Sequence, residues 1–271
     1  MMTLTTENYY SREANIEYFS VSQYKDFLKC PAMAMAKLRG EYEPEYGRAL
    51  LLGSYVDEML TGSEESIKQF VVEHVPDLFK KNGDRYADVQ QADEAIAKAK
   101  KQPLIAKYLD GEKQKIFTGE IAGVPAKGKL DIYRKGECIV DLKYVASLRS
   151  PNLFENVVDY WNYTLQGAVY VELVRQNTGL TLPFYLILIT KEKPAHFAVV
   201  ELNQIDMDEE LDKAKNFLPT YQAIKSGKIP PERCEAYSCD FCTETKILEK
   251  PIPVSYLAKS RAEINAMNGV V

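Results

Sequence analysis

Residues 127–143 constrain the fold more than any other stretch, because they predict two apolar strands joined by a tight turn at residues 134–137. Asp131 falls in the first strand, and Asp141 and Lys143 fall in the second. A hairpin of this length places Asp131 opposite Asp141, and the two-residue period of a strand puts Asp141 and Lys143 on one face. We therefore expect two acids and an amine to converge at the edge of a hydrophobic core.

The two acids and the amine suit a metal site. Carboxylates at the edge of a core are natural ligands for a hard divalent cation such as Mg²⁺, which prefers oxygen and keeps several waters. The amine of Lys143 is then placed to orient or activate an attacking water, or to stabilise negative charge that develops on phosphorus. The alternative is a hairpin whose charged residues are simply exposed to solvent, as most charged strand residues are.

The segment resembles the core of the PD-(D/E)xK nuclease superfamily, with Asp131 as the first acid and Asp141-Leu142-Lys143 as the (D/E)-x-K motif. The resemblance is closest to the RecB/RecE-like branch of phage and bacterial recombination exonucleases, including exodeoxyribonuclease VIII-like proteins, and it extends over about residues 20–246. It implies an α/β fold with a restriction-endonuclease-like core of order αβββαβ, in which helices flank a mixed central sheet.

The elements predicted around the hairpin follow this core order. A strand at residues 115–125 precedes the hairpin, and a long helix at residues 153–176 follows the start signal Ser150-Pro151. Apolar runs at residues 184–190 and 196–202 then predict two further strands.

One nuclease domain is expected at residues 19–246, with the metal-binding hairpin at residues 126–144 and a cysteine-rich segment at residues 230–242. Residues 1–18 are expected to form a polar N-terminal tail or an edge segment, and residues 247–271 a C-terminal tail.

Composition excludes some classes of protein. The formal net charge of −5 argues against a protein that coats nucleic acid by charge alone, although it leaves room for a local basic groove. No stretch approaches the roughly 18 to 20 apolar residues that cross a bilayer, and the N-terminus lacks a basic segment followed by an apolar one. We therefore expect a cytoplasmic protein with no membrane partner.

The helix predicted from Gly47 to Leu60 carries a third candidate metal ligand. RecB-like nucleases have a Gly-x-x-x-His pattern here, with the histidine on the metal, whereas this chain has Gly53-Ser-Tyr-Val-Asp57. Because aspartate is also a hard oxygen ligand, the resemblance implies Asp57 as a ligand beside Asp131 and Asp141. The alternatives are that Glu58 takes this role or that Asp57 is a solvated helix residue.

The long helix contains Gln166 and Tyr170, which lie four residues apart and therefore on one face. They match the Gln-x-x-x-Tyr motif that RecB-like nucleases place beside the metal, and the resemblance implies that both belong to the catalytic site. Tyr160 and Tyr163 precede the motif and suit stacking on an unpaired base. Trp161 is expected to pack in the core.

Three cysteines in nine residues, Cys234, Cys239 and Cys242, indicate ligation of a soft metal. A fourth ligand is required. Cys30 is the candidate, at the end of a short helix for which Ser22 is the expected N-cap, whereas Cys138 lies in the central hairpin and is a poor choice.

The identity of the metal at the four cysteines stays open at this point. Four thiolates suit a tetrahedral Zn²⁺ or a [4Fe–4S] cluster, and free thiols are the third alternative. The resemblance favours the cluster, because some RecB-like nucleases join an N-terminal cysteine to a C-terminal trio. Their trio is commonly spaced C-x2-C-x5-C, whereas this chain has C-x4-C-x2-C.

The resemblance as a whole implies a deoxyribonuclease that depends on Mg²⁺ or Mn²⁺. The expected activity is exonucleolytic resection of linear double-stranded DNA for phage-type homologous recombination, with a single-strand annealing protein as partner. Assembly into a homo-oligomer is left open. The alternative is a nucleic-acid-binding or assembly protein that keeps the fold with a silent catalytic site.

Overall fold

The computed structural model describes residues 2–45, 47–152, 154–234, 239–247, 251 and 254. Within these residues, eight helices precede the sheet: α1 (Arg12–Glu17), α2 (Val21–Lys29), α3 (Pro31–Arg39), α4 (Arg48–Thr61), α5 (Glu64–Glu73), α6 (Val75–Leu78), α7 (Ala87–Ala99) and α8 (Pro103–Leu109). Three strands follow: β1 (Glu112–Ile121), β2 (Val124–Arg134) and β3 (Cys138–Val145). The later elements are α9 (Val157–Tyr160), α10 (Tyr163–Thr178), β4 (Phe184–Thr190), β5 (Phe197–Glu201), α11 (Gln204–Lys225) and α12 (Asp240–Glu244).

The five strands form one mixed sheet in the order β1-β2-β3-β4-β5, in which β3 and β4 are parallel and the other pairs are antiparallel. The parallel pair requires a crossover, and α10 supplies it. This arrangement confirms the predicted mixed sheet and the predicted core order. Among the described residues, no helix combines the length and the hydropathy needed to cross a membrane.

The β2–β3 hairpin has the predicted register. Ile132 pairs with Val140 and Arg134 with Cys138, and Gly136 occupies the turn at a φ of +74° that favours glycine. One further step along this register would pair Asp131 with Asp141, but the ladder stops before them. The two strands therefore form a fork whose branches begin at the two acids.

Two hydrophobic clusters lie on opposite faces of the sheet. The strand period separates them: along β4, Leu186 and Leu188 belong to the cluster packed by α2, α3, α10 and α11, whereas Ile187 and Ile189 belong to the one packed by α4 and α7. Helices thus cover both faces of the sheet, and side chains from helices on either face can reach the fork.

The N-terminal residues are packed against the domain, which corrects the expectation of a tail at residues 1–18. Tyr9, Ala14 and Tyr18 are buried. Phe19 then forms a parallel bridge with Ala126 of β2. Because Ala126 also pairs with Gly119 of β1, Phe19 lies on the other side of β2, which β3 leaves unpaired beyond Ile132. The segment thereby fixes the start of α2. Of the predicted C-terminal tail, residues 248–250, 252–253 and 255–271 lie outside the described residues.

The sequence predicts Ser22 as the N-cap of α2, but the N-cap is Ser20. Ser20 Oγ accepts a hydrogen bond from the backbone N–H of Gln23 at 3.3 Å, while Ser22 lies inside the helix and is bonded to Ser20. The helix ends at Lys29, near Cys30 as predicted, and Cys30 is its C-cap.

The helix predicted at residues 153–176 is two helices, α9 and α10, and Leu153 lies outside the described residues. The helical conformation is interrupted at Asn162, which has a left-handed φ of +49°. Its side-chain oxygen caps α10 by accepting a hydrogen bond from the N–H of Leu165 at 3.2 Å. Asparagine tolerates this conformation better than most residues. The break leaves Trp161 50% exposed, so the expectation that Trp161 packs in the core is wrong.

Two lysines, Lys127 and Lys225, hold the N-terminal segment through hydrogen bonds from their side-chain amines. Lys127 Nζ donates to Tyr9 O and to Asn15 Oδ1, and Lys225 Nζ donates to Tyr18 O at 3.0 Å. Burial lowers the pKa of Lys127 to about 8, and burial followed by repulsion from Lys127 lowers the pKa of Lys225 to about 7.

These lysines should make stability depend on pH. An unfolded lysine keeps its proton up to about pH 10, so between about pH 7 and that value the unfolded state binds more protons than the folded state. The free energy of unfolding should therefore rise with pH in this range, and Lys225→Met should flatten the rise. Denaturant titrations at about pH 7 and about pH 9 measure it. The exposed Lys228→Met is the control and should keep the wild-type slope; an unchanged slope in Lys225→Met contradicts the assignment.

Candidate active site

Three carboxylates meet at the fork between β2 and β3. Asp131 Oδ2 accepts a hydrogen bond from the backbone N–H of Leu142 at 2.8 Å, so its side chain replaces the ladder where the strands separate. Asp141 is 2% exposed and lies beside it. Asp57 reaches the same place from α4, and its carboxylate accepts from Thr61 Oγ1 at 3.2 Å. The structure therefore places the three predicted metal ligands within electrostatic range of one another. Among the described residues, only the four cysteines assigned to a metal have all of their ligand atoms within 4.8 Å of one another.

Burial and mutual repulsion raise the pKa values of Asp57 and Asp131. Burial, followed by repulsion from Asp141, raises the pKa of Asp57 to about 6. Burial, followed by repulsion from Asp141 and then Asp57, raises the pKa of Asp131 well above its usual range. A space that holds three carboxylates at this cost suits a divalent cation with oxygen ligands, because the cation removes the repulsion.

Lys143 is the amine of the site and forms an ion pair with Asp141. Burial alone would lower the pKa of Lys143, but the carboxylates of Asp141 and Asp131 raise it above its ordinary value. The ammonium also lies 5.3 Å from the ring centroid of Tyr163. Lys143 is therefore a fixed, protonated donor at the edge of the three acids.

Gln166 and Tyr170 of α10 lie against the same acids. Gln166 Nε2 donates to Asp141 Oδ1 at 2.8 Å, and the Gln166 side chain also interacts with the Tyr170 hydroxyl, which limits the rise in the pKa of Tyr170 that burial causes. Tyr170 is buried, and a Cβ added at Gly128 would lie 2.9 Å from its ring, so the glycine permits the close approach of β2 and α10. Gln166 thus orients a carboxylate, and Tyr170 supports Gln166 from the core.

The four cysteines assigned to a metal form a second cluster, distinct from the acids. The Sγ atoms of Cys30, Cys234, Cys239 and Cys242 all lie within 4.8 Å of one another. Cys138 is buried in the hydrophobic cluster of the other sheet face, as its exclusion predicted.

Helix ends position the cysteines. Cys30 caps α3 and accepts from Met33 N at 3.4 Å, and Cys239 caps α12 and accepts from Cys242 N at 3.4 Å. Burial raises the pKa of Cys242 to about 11 and that of Cys239 further, so a cation is needed to hold these groups as thiolates at neutral pH. The donor set fits a soft metal.

A family model described as a PDDEXK-like domain of unknown function (DUF3799) matches residues 20–245. The chain belongs to this PDDEXK-like family. The chain is similar to a protein from Eubacterium rectale that is described as a "putative exonuclease" and has a crystal structure. The two are 40% identical over 96% of this chain and 99% of the other, and they superimpose with a TM-score of 0.88. The comparison with curated proteins gave no match.

One residue of this PDDEXK-like domain near the acids was missed from the sequence. Lys25 of α2 donates from Nζ to the backbone oxygen of Trp161 at 2.9 Å, and its charge interacts with Lys143 and Asp141. Burial, followed by repulsion from Lys143, lowers the pKa of Lys25 to about 8. Its position in the sequence could have indicated this role, because Lys25 is the only cation of α2 apart from Lys29 in the last turn.

The raised pKa values predict that metal affinity falls with pH. Below about pH 6, Asp57 holds a proton that a cation must displace, so Mn²⁺ should bind more weakly at about pH 5.5 than at about pH 7.5. Calorimetric titration in buffers of different ionisation enthalpy measures both the affinity and the released protons. Asp57→Asn should bind less tightly and release fewer protons. Asp212→Asn, whose side chain is 71% exposed, is the control, and a wild-type affinity independent of pH contradicts the prediction.

Proposed function

We propose that this protein is a metal-dependent deoxyribonuclease that removes nucleotides from the ends of linear double-stranded DNA. The observation that carries the proposal is the fork, where Asp57, Asp131 and Asp141 converge beside protonated Lys143. Membership of a PDDEXK-like family and 40% identity to a protein described as a "putative exonuclease" support it. A silent binding protein would have no need to keep so many like charges in one partly buried space.

The three aspartates would hold Mg²⁺ or Mn²⁺, which supplies positive charge for the phosphate oxygens and lowers the pKa of a bound water. The chain's own residues do the rest. Gln166 fixes the orientation of Asp141, and Lys143 remains protonated, so it donates hydrogen bonds and stabilises charge instead of accepting a proton. The oxygen of water forms a bond to phosphorus as its proton passes to solvent, and the bond to the leaving sugar oxygen breaks as that oxygen takes up a proton from solvent.

The biological setting follows from the RecB/RecE-like resemblance. We propose that the enzyme resects duplex ends during homologous recombination, and that a single-strand annealing protein binds the strand that resection leaves. Because the net charge is −5, DNA has to be held by local cations such as Lys25 and Lys143.

Activity should depend on the acids and on Lys143. Asp141→Ala should abolish cleavage and leave the fold intact, since it removes a ligand together with a source of repulsion. Lys143→Ala should lower the rate by about two orders of magnitude or more and keep metal binding. End-labelled linear DNA and closed circular DNA, each with Mg²⁺ or Mn²⁺, are the substrates.

The exposed acid variant Asp212→Ala is the matched control and should cleave at the wild-type rate. Loss of linear DNA with circular DNA intact is the expected pattern. An Asp141→Ala protein that digests DNA as fast as the wild type would refute the site, and rapid cleavage of closed circles would refute exonuclease action.

For the cysteines we propose a structural metal that joins the N-terminal helices to the C-terminal segment. Of the two metals left open above, sulfur atoms within 4.8 Å of one another support a single tetrahedral Zn²⁺, whose sulfur–sulfur edges are about 3.8 Å. A [4Fe–4S] cluster, which the RecB-like resemblance favours, has to lie between its thiolates and spread them further apart.

The metal at the four cysteines, which we call the staple, should stabilise the fold, so stability and metal content should fall together when a cysteine ligand is removed. Cys30→Ser and Cys242→Ser should each lose the metal and lower the melting temperature, because the metal closes a loop over most of the domain. Cys138→Ala should keep the metal. Anaerobic purification and metal analysis separate a colourless zinc protein from a brown iron protein. A metal-free protein in which Cys30→Ser melts at the wild-type temperature would rule the staple out.

A further inference from the structure

The chain from the last residue of α9 to the first residue of α10, residues 160–163, forms an exposed aromatic corner next to the candidate active site. Tyr160 and Trp161 are 41% and 50% exposed, and their rings meet edge to face at 5.0 Å. The left-handed backbone of Asn162 turns the chain and places Trp161 outside the helix. Together the two rings form an exposed apolar surface beside the candidate active site, which suits a ligand with a flat apolar face.

A series of contacts ties the corner to the reacting centre. Lys143 Nζ lies 5.3 Å from the ring centroid of Tyr163, and Lys25 Nζ lies 5.8 Å from the same ring. Lys25 Nζ then donates to the backbone oxygen of Trp161 at 2.9 Å. The corner is therefore held by the cation that lies next to the active-site lysine, and a short stretch of nucleic acid strand can span the two.

We propose that the aromatic corner binds the unpaired end of one DNA strand, whose bases stack on Trp161 and Tyr160 while a backbone phosphate pairs with Lys25. The proposal rests on the proposed nuclease function and specifies the form in which the substrate enters.

Two observations favour an unpaired strand over a duplex. Stacking on a side chain needs a free base face, and within a duplex only the outer face of each terminal pair is free, whereas every base of an unpaired strand can unstack. The corner also pairs exposed aromatic rings with a cation, which is the combination that single-strand channels use. Lys25 supplies the charge complementarity that a chain of net charge −5 needs at a phosphate.

Trp161 is the only tryptophan of the chain, so its fluorescence reports on the corner directly. The wild-type protein is titrated in Ca²⁺, which takes the same class of oxygen ligands as Mg²⁺, with oligothymidylate, a blunt duplex, and a duplex with an unpaired end. Oligothymidylate and the unpaired end should quench the emission saturably, and the blunt duplex should quench it much less. Cleavage in Mg²⁺ is measured in parallel.

Variants separate stacking from packing. With a dye-labelled oligothymidylate, Trp161→Ala should weaken binding about tenfold and Trp161→Phe much less, as expected for one stacked base. Phe217→Ala, which removes a 49% exposed aromatic ring on α11, is the matched control and should bind normally. Lys25→Met should weaken binding and lower the slope of log Kd against log salt concentration by about 0.7, the value for one phosphate on a single strand.

The outcomes are decisive. Tight binding of oligothymidylate without a change in Trp161 emission, or equal quenching by the blunt duplex, overturns the proposal while cleavage in Mg²⁺ leaves the nuclease function standing. Absence of both binding and cleavage overturns the corner and the nuclease function together. Equal affinities of Trp161→Ala and the wild type also overturn the role of the corner.

Discussion

Repulsion among the three carboxylates at the β2–β3 fork is the interaction on which the rest of the domain depends. Folding brings Asp57, Asp131 and Asp141 together from different elements, and burial makes their mutual repulsion more costly. Each acid is therefore held by a polar partner, and Lys143 offsets part of the negative charge. The strands have to separate here, because a continuous ladder would leave no space for the side chains or for a cation. The two hydrophobic clusters, one on each face of the sheet, supply stability that offsets this repulsion.

Helix α2 connects the two chemical centres of the molecule. Lys25, near its middle, points toward the acids and Trp161, and Cys30, at its end, belongs to the cysteine cluster. Its position is fixed by the Ser20 cap and by the ion pair of Lys37 with Asp26, which joins α2 to α3 at 2.5 Å. A metal at the cysteines would therefore stabilise the helix that carries Lys25, so a structural site can influence how DNA is held without touching it.

The sequence predicted features that follow from local periodicity. The hairpin register, the fork acids and the grouping of Cys30 with the C-terminal trio follow from strand pairing and from the residue types that share a metal. It did not predict features that depend on one backbone angle or on packing between distant segments. The break at Asn162, the exposure of Trp161 and the approach of Lys25 to Asp141 belong to this second kind. A helical pattern continues through residue 162, and a single left-handed residue leaves no periodic signal.

The aspartate at position 57 changes the electrostatics of the site relative to the histidine of the RecB-like pattern. A neutral imidazole adds no charge, whereas Asp57 adds a third negative charge beside Asp141. Gln114 holds Asp57 and its partner Thr61 in place. Its backbone has a left-handed φ of +51°, and its Nε2 donates to Thr61 Oγ1 at 3.1 Å and to Asp57 Oδ2 at 3.4 Å. Such a backbone conformation costs about 1 kcal/mol or more and persists where the surroundings fix it. A solvated helix residue would need no such support, and this argues for Asp57 as a ligand.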